Sequence, residues 1–523
     1  MAHTKQISRL GRFTTLSAVA AVMAAAGCAL AQPADGQKVE DGVSLTIYSS
    51  AQPGAISPDM YRPVPGQNIG YYRGNQIPGY AVIKQVRTID LAQGRGEARF
   101  DDVAAYIDPT TVQFVSLTDP GGTRVLEQDF RFDLVDPSKL LRKRLGEKIT
   151  LNGQSVKLLG LQSGGMVVQD DEGSIFYHQG MQGVKFDASI ADDMVIKPTL
   201  SWDLVAAQGG EHQTRVSYQA AGITWWADYN LVFTPGEDAN HGTLDVGSWV
   251  SILNQSGATF DDAQLKLIAG DVNRAPQSGR NEYQARGMVG DRAVGAMAAP
   301  GFAEKSFFEY HLYTLGRPTT IVDASTKQVE LFETARGVPA DKVMVFDGLG
   351  GQWNYWGFGR HTNRSLGQGI EPKVEVYLRF DNSEDDGLGV PLPAGRIRVS
   401  QMDTADGSLE FIGEDVIDHT PREEEILIKL GNAFDIVGER TQTDFQSGNY
   451  WMSETIEIKL RNRKKDDSVD VLVQERLFRW NEWDVTQTTD GFTKADARTI
   501  RWNVTLAPDE EKIITFTVRY NWE

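Results

Sequence analysis

The sequence predicts a mainly β protein: several consecutive β-sandwich-like domains of immunoglobulin or fibronectin type, a small β unit, and little helix beyond an N-terminal signal. Three observations predict it. Apolar residues recur with a period of two, the period of strands. Turn dipeptides separate the apolar runs. Convincing amphipathic helices are few, with Ser138 to Leu145 a short candidate.

The N-terminus comes first. Lys5, Arg9 and Arg12 form a positive region, Thr14 to Ala26 is small and apolar, and Ala29-Leu30-Ala31 supplies an A-x-A cleavage pattern. This is the three-part layout of a secretory signal, so cleavage is expected after Ala31, with Gln32 as the mature start. The apolar run is too short for a spanning helix. A competing fate is lipidation at Cys28, where Ala25-Ala26-Gly27-Cys28 resembles a lipoprotein box. Cys28 is the chain's one cysteine. Cleavage after Ala31 removes it, and with it any thiol nucleophile, disulfide or Cys-based metal site.

Four units follow by composition. An N-terminal β domain is expected over 40–135 and a small β unit over 136–198, where Ser155–Leu159 and Gly165–Gln169 read as short strands. A central β domain is expected over 199–385 and a C-terminal β-sandwich over 390–523. The last strand has the clearest alternation, with Ile514, Phe516, Val518, Tyr520 and Trp522 on one face. Such a face needs a second sheet to cover it. Val374, Val376, Leu378 and Phe380, and Ile456, Ile458 and Leu460, repeat the pattern. Pro-Gly-Gly at 120–122, Asn-Gly at 152–153, and Asp-Gly at 406–407 and 490–491 offer residues tolerant of positive φ at reversals. Three long connections stand out, 52–78, 270–303 and 347–370. The second is expected to be loosely packed, and the aromatic start of the third to be ordered.

The formal net charge is −19. Loss of Lys5, Arg9 and Arg12 with the signal would make it −22. That balance disfavours nucleic acid and anionic membrane surfaces, which are polyanions. No stretch after the signal is long and apolar enough to span a bilayer.

A string of motifs runs through the second half. Ser201-Trp202-Asp203-Leu204 leads to Val216 through Tyr229, which contains Gly222-Ile223-Thr224-Trp225-Trp226. Asn254-Gln255-Ser256-Gly257 precedes Ala263 through Asp271. Leu392-Pro393-Ala394-Gly395-Arg396-Ile397-Arg398-Val399 and Phe411-Ile412-Gly413-Glu414-Asp415 follow, and Leu506-Ala507-Pro508-Asp509-Glu510-Glu511 precedes the last strand. In this order they resemble the mucoidy-inhibitor-A-like family of uncharacterised bacterial envelope proteins. The resemblance covers roughly residues 199–523. It implies an envelope location and a multi-domain β architecture, and no reaction or catalytic residue. The long helical arm common in that family is missing here; its place holds the small β unit.

Catalytic spacings are also missing: there is no G-x-S-x-G, H-E-x-x-H, P-loop or dinucleotide glycine pattern. His178, His212, His241, His311, His361 and His419 form no pair at ligand spacing. No cofactor is expected. Three acidic clusters read mainly as solvated turns, with calcium or another metal as the alternative: Asp381 to Asp386, the set Asp403, Asp406, Ser408 and Glu410, and the set Glu414, Asp415, Asp418 and His419. The strongest binding candidate is the aromatic run Trp353, Tyr355, Trp356 and Phe358, with Arg360 and His361 as hydrogen-bonding neighbours. Exposed, it would stack on sugar rings or anchor a partner protein; folded back, it would plug a sandwich end. Three functions remain open: a non-catalytic envelope protein with an unidentified protein or glycan partner, a carbohydrate- or peptidoglycan-binding protein, and an unrecognised hydrolase.

Overall fold

The computed structural model describes residues 41–48, 56, 58–61, 77–131, 137–162, 164–186, 197–238, 240–270, 272, 302–307, 310–351, 359–403 and 405–522. The protein is mainly β, 64% strand and 2% helix, in several separate sheets. The expected fold class is therefore observed.

The first sheet runs β16 (Phe302–Phe307), β17 (Tyr310–Leu315), β15 (Phe260–Ala269), β1 (Gly42–Tyr48), β2 (Tyr80–Leu91), β12 (Gly210–Ala220) and β4 (Ile107–Ser116), with β18 (Thr319–Ile321) also on β15. The second is β3 (Gly94–Asp101), β11 (Thr199–Ala206) and β5 (Thr123–Arg131). Strands from both sides of the expected boundary at 198–199 thus share sheets: β11 lies between β3 and β5, and β12 between β2 and β4. One core fills the space they enclose, around Leu45, Phe100, Trp202, Tyr218 and Leu265.

The third sheet is small and local: β10 (Val184–Lys185), β6 (Lys148–Leu151), β7 (Gln154–Gln162), β8 (Gly165–Gln169) and β9 (Ile175–Gln179). Asn152 and Gly153 both take positive φ between β6 and β7, the backbone that a two-residue Asn-Gly hairpin needs. The expected helix is α2 (Pro137–Lys143), shorter at its end than 138–145, and it follows the four-residue α1 (Pro58–Tyr61). Leu141 of α2 joins Ile149, Leu151, Val156, Leu158, Met166 and Val168 in a separate core.

The fourth sheet is the spine. It runs β23 (Leu409–Ile417), β22 (Gly395–Met402), β13 (Ile223–Pro235), β14 (His241–Asn254), β20 (Ala335–Asp347), β27 (Val469–Arg476), β30 (Thr499–Leu506) and β29 (Thr493–Asp496), with β19 (Ser325–Glu330) on β14, β21 (Val374–Asp381) on β20, and β24 (Glu425–Asn432) on β21. The fifth sheet is β25 (Ile436–Ser447), β26 (Trp451–Asn462), β31 (Glu511–Asn521) and β28 (Trp483–Thr488). It packs on β27 and β30 through Ile456, Ile458, Leu460, Ile514, Phe516, Val518 and Tyr520. The alternating faces of β26 and β31 are those the sequence predicts.

The β13–β14 hairpin is long enough to serve two cores. Trp225, Val250 and Ile252 enter the first core. Ala227, Tyr229, Leu231, Phe233, Leu244 and Val246 enter the next, with Val399 and Ile428. Gly222 turns the chain into β13 with φ of 83°. A side chain there would meet the Gln255 carbonyl at 2.8 Å, which accounts for the glycine ahead of Trp225.

The family-like motifs are joints of this framework. Tyr229 donates its hydroxyl hydrogen bond to the Pro393 carbonyl at 2.7 Å. Gly395 lies so close to Ala227 and Tyr229 that a Cβ would meet the Ala227 carbonyl at 2.4 Å, and this allows β22 to pair in parallel with β13. Three fully buried asparagines tie strand ends to loops. Asn254 donates to the Ala258 and Ile321 carbonyls, Asn382 to those of Val390 and Pro421, and Asn462 to those of Asp467, Leu506 and Ala507. A buried loop carbonyl without a donor is costly, and one amide satisfies several.

Candidate functional site

The aromatic candidates Trp353, Tyr355, Trp356 and Phe358 lie outside the described residues, as do Cys28, Ala31 and Gln32 of the signal and most of 270–303. The segments on either side of 352–358 are described, and they stand on buried charges.

The preceding segment leaves β20 at Asp347. Its carboxylate accepts the backbone N–H groups of Leu349 and Gly350 at 3.0 and 3.2 Å. Gly348 N–H donates to the Gln474 carbonyl at 3.1 Å. Beneath Gly348 is an ion pair between Arg440 and Glu475, whose side chains are 4% and 1% exposed. The guanidinium engages both carboxylate oxygens, Nε at 3.1 and 3.0 Å and Nη2 at 2.8 Å. A Cβ on Gly348 would lie 2.4 Å from Glu475 Oε2 and 2.9 Å from Arg440 Cδ. The glycine is there because the charge pair leaves no room. Burial pushes the Glu475 carboxyl above its ordinary range, against the pull of Arg440.

The following segment rests on a second pair, Arg479 and Glu454, 1% and 3% exposed. Arg479 donates to Glu454 Oε2 at 2.8 Å and to the carbonyls of His361, Asn363 and Leu366 at 3.3, 2.8 and 3.0 Å. Its own carbonyl accepts His361 N–H at 3.0 Å. Arg440 adds a bond to the Gly367 carbonyl at 3.0 Å, so the two pairs act on one segment. Glu454 also accepts from Gln442 at 2.9 Å and from the Tyr520 hydroxyl at 3.4 Å. Burial raises that phenol well above its usual value. Leu349 and Phe478 pack against Gly367, which joins the two flanks. Arg360, the described member of the aromatic candidate, is exposed and lies 5.1 Å over the Trp522 ring.

A cleft of about 640 Å³ opens beside Gly350 and Gly351, in the size range of ligand sites. Asp347, Glu371, Lys373, Glu375, Lys429 and Arg476 line it. Lys429 pairs with Glu375, and Arg476 with Asp347 at 3.5 Å. Burial works to raise the Glu375 carboxyl, but hydrogen bonds from Lys429 and Tyr377 outweigh it and hold it below the ordinary range. Among the described residues the cleft is a charge-balanced polar surface, with no nucleophile set beside a base.

Sequence reading missed the two buried pairs, although it held a signal for them. Glu454 is in phase with Met452, Ile456 and Ile458, and Glu475 with Val469, Val471 and Val473, all buried. A charge in phase with a core stripe must find a partner inside.

The acidic clusters serve as turns and joints. Ser383 donates to Asp386 at 2.5 Å, Asp403 and Asp406 accept the N–H groups of Ala405 and Ser408, and Asp415 accepts Lys429 N–H at 2.7 Å. His419 Nδ1 accepts Ala394 N–H at 3.0 Å. Among the described residues, no three His, Cys, Asp or Glu side chains converge as a metal site requires.

One pair has the form of a nucleophile and its base. Ser116 Oγ and His212 Nδ1 are 2.9 Å apart. His212 Nε2 faces the Gln208 carbonyl at 3.1 Å, so Nε2 must carry the hydrogen and Nδ1 accepts from Ser116. The residues are 3% and 1% exposed. A carbonyl occupies the position where a triad has a carboxylate, and substrate has no way to the hydroxyl. The pair is a core hydrogen bond, and its 96-residue separation hides it from motif reading.

No helix among the described residues is long and apolar enough to cross a membrane. No protein-family model, curated protein or solved structure matches the chain.

Proposed function

We propose that this chain is an exported bacterial envelope protein with a non-catalytic binding or assembly role, and a relative of the mucoidy-inhibitor-A-like family. The observation that carries the binding role is the pair of buried ion pairs under both flanks of 352–358. Buried ion pairs are poor sources of net stability, since apolar side chains of similar volume serve as well or better. What they add is fixed geometry. Here that geometry is applied to the ends of a segment whose sequence holds four aromatic residues. Export rests on the signal pattern at 1–31, and the family on the strand-and-turn motifs between 201 and 511. The test is crosslinking in the fractionated native host. A tagged chain is expected in the envelope fraction with a reproducible partner, and Arg479→Met is expected to lose that partner. Recovery in the cytosol, or unchanged partners for the variant, overturns the proposal.

A second reading, carbohydrate or peptidoglycan binding, is favoured by the 640 Å³ cleft beside Gly350 and Gly351. Its hydrogen-bonding groups would complement stacking by Trp353 and Trp356. Replacing both tryptophans by alanine should then abolish retention on a glycan column without lowering the melting temperature. An equal loss of stability assigns them to core packing.

A further inference from the structure

The small sheet β10-β6-β7-β8-β9 has one face on its own core and, among the described residues, the other face uncovered. Val156, Leu158, Met166 and Val168 point to the core. On the opposite face, strand registers align Lys148, Lys157, Gln169 and Ile175 in one row across four strands. Lys185, opposite Thr150, adds a third lysine. Ile175 and Tyr177 of β9 are 62% and 51% exposed on that face. The Tyr177 ring lies over Gly165: a Cβ there would be 2.4 Å from the phenolic oxygen. The glycine thus lets the ring lie flat as an apolar tile.

Charge distinguishes this unit from the rest of the chain. Residues 137–186 hold seven Lys and Arg against four Asp and Glu, and the whole stretch 136–198 eight against eight, in a chain of net −19. Lys148 pairs with Asp171 at 2.7 Å. Lys157 and Lys185 have no ion pair among the described residues. The edge is open as well: β9 pairs only with β8 among the described residues, and it contains neither Pro nor Lys to discourage further contact.

We propose that this face docks an acidic, partly apolar extended segment of another protein, with Lys157 and Lys185 meeting its carboxylates and Ile175 and Tyr177 its apolar side chains. Charge complementarity selects this occupant. Two copies meeting through the same face would set lysine against lysine. An anionic bilayer would have to accept the whole acidic chain along with the face.

The test uses the full chain and a fluorescein-labelled peptide of alternating Glu and Val, with a Lys-Val peptide as control. Anisotropy should show binding of the acidic peptide that weakens with salt and no binding of the control. Lys157→Glu/Lys185→Glu should weaken it at least about tenfold, while Lys465→Glu, at an exposed lysine of another sheet connection, should leave it unchanged. If the double reversal misfolds by circular dichroism, Lys157→Gln/Lys185→Gln serves, with a smaller but measurable loss. Equal binding by the double variant overturns the proposal. So does binding to phosphatidylglycerol vesicles but not to the peptide, or a dimer in sedimentation that the double reversal dissolves.

Discussion

Replacing Arg479 by methionine separates two jobs of one side chain. The first is neutralising Glu454, 3% exposed and 2.8 Å away. Removing one partner of a buried pair leaves an uncompensated charge and costs about 3–5 kcal/mol. The second job is donating to three carbonyls, at His361, Asn363 and Leu366. Each acceptor left without a donor costs about 1–3 kcal/mol if it stays buried, but the segment can lift into water and avoid most of that. Arg479→Met should therefore lose about 3–5 kcal/mol of unfolding free energy in denaturant and also lose hydrogen-exchange protection over 361–368. Adding Glu454→Gln removes the stranded charge; the one amide oxygen keeps an acceptor for Gln442, and the Tyr520 hydroxyl can turn to accept from the amide nitrogen. The double variant should recover most of the global loss and none of the local protection. A single variant within about 1 kcal/mol of the unaltered chain refutes the charge argument, because it lies below the range for a broken buried pair. Restored protection in the double variant refutes the clamp.

Other substitutions report on separate joints. Gly348→Ala drives a methyl into Glu475 Oε2 and should cost about 1–3 kcal/mol as overpacking, read by thermal or chemical unfolding. Asn254→Ala leaves the Ala258 and Ile321 carbonyls and the Ser256 N–H without their partner, so a loss above about 2 kcal/mol is expected; a loss under half that would mean water replaces the amide. His241, beside Asp238 at 2.8 Å, is held above its ordinary value by that hydrogen bond and charge. Its raised value stabilises the protonated form, so the contribution is full below the unfolded value near 6.5 and disappears as pH rises through the folded one. NMR titration should place His241 above that unfolded value, and Asp238→Asn should lower it; an unmoved titration would exclude Asp238 as the cause.

How much of this was legible depends on the range of the signal. Which face of a strand is buried is a local property, set by each residue and its second neighbours, and so Ile514 to Trp522 could be read directly. The Asn152-Gly153 reversal is local too. The parallel pairings are not. Leu45 meets Leu265, Leu231 meets Val399 and Val345 meets Leu472, and no pattern in either member names the other. Each pairing joins stretches that composition would divide, which is why strands from separate compositional units share a sheet. The candidate site has the same split. The aromatic run is legible because four large side chains stand within six residues. The residues that hold its flanks come from β25, β26, β27 and the turn after β27, and only the fold brings them to one place. What sequence did offer was a discord: Glu454 and Glu475 keep the phase of their strands' apolar faces. A carboxylate in that phase is too costly to bury alone. Its presence implies an arginine arriving from elsewhere in the chain, together with whatever that arginine has been placed to hold.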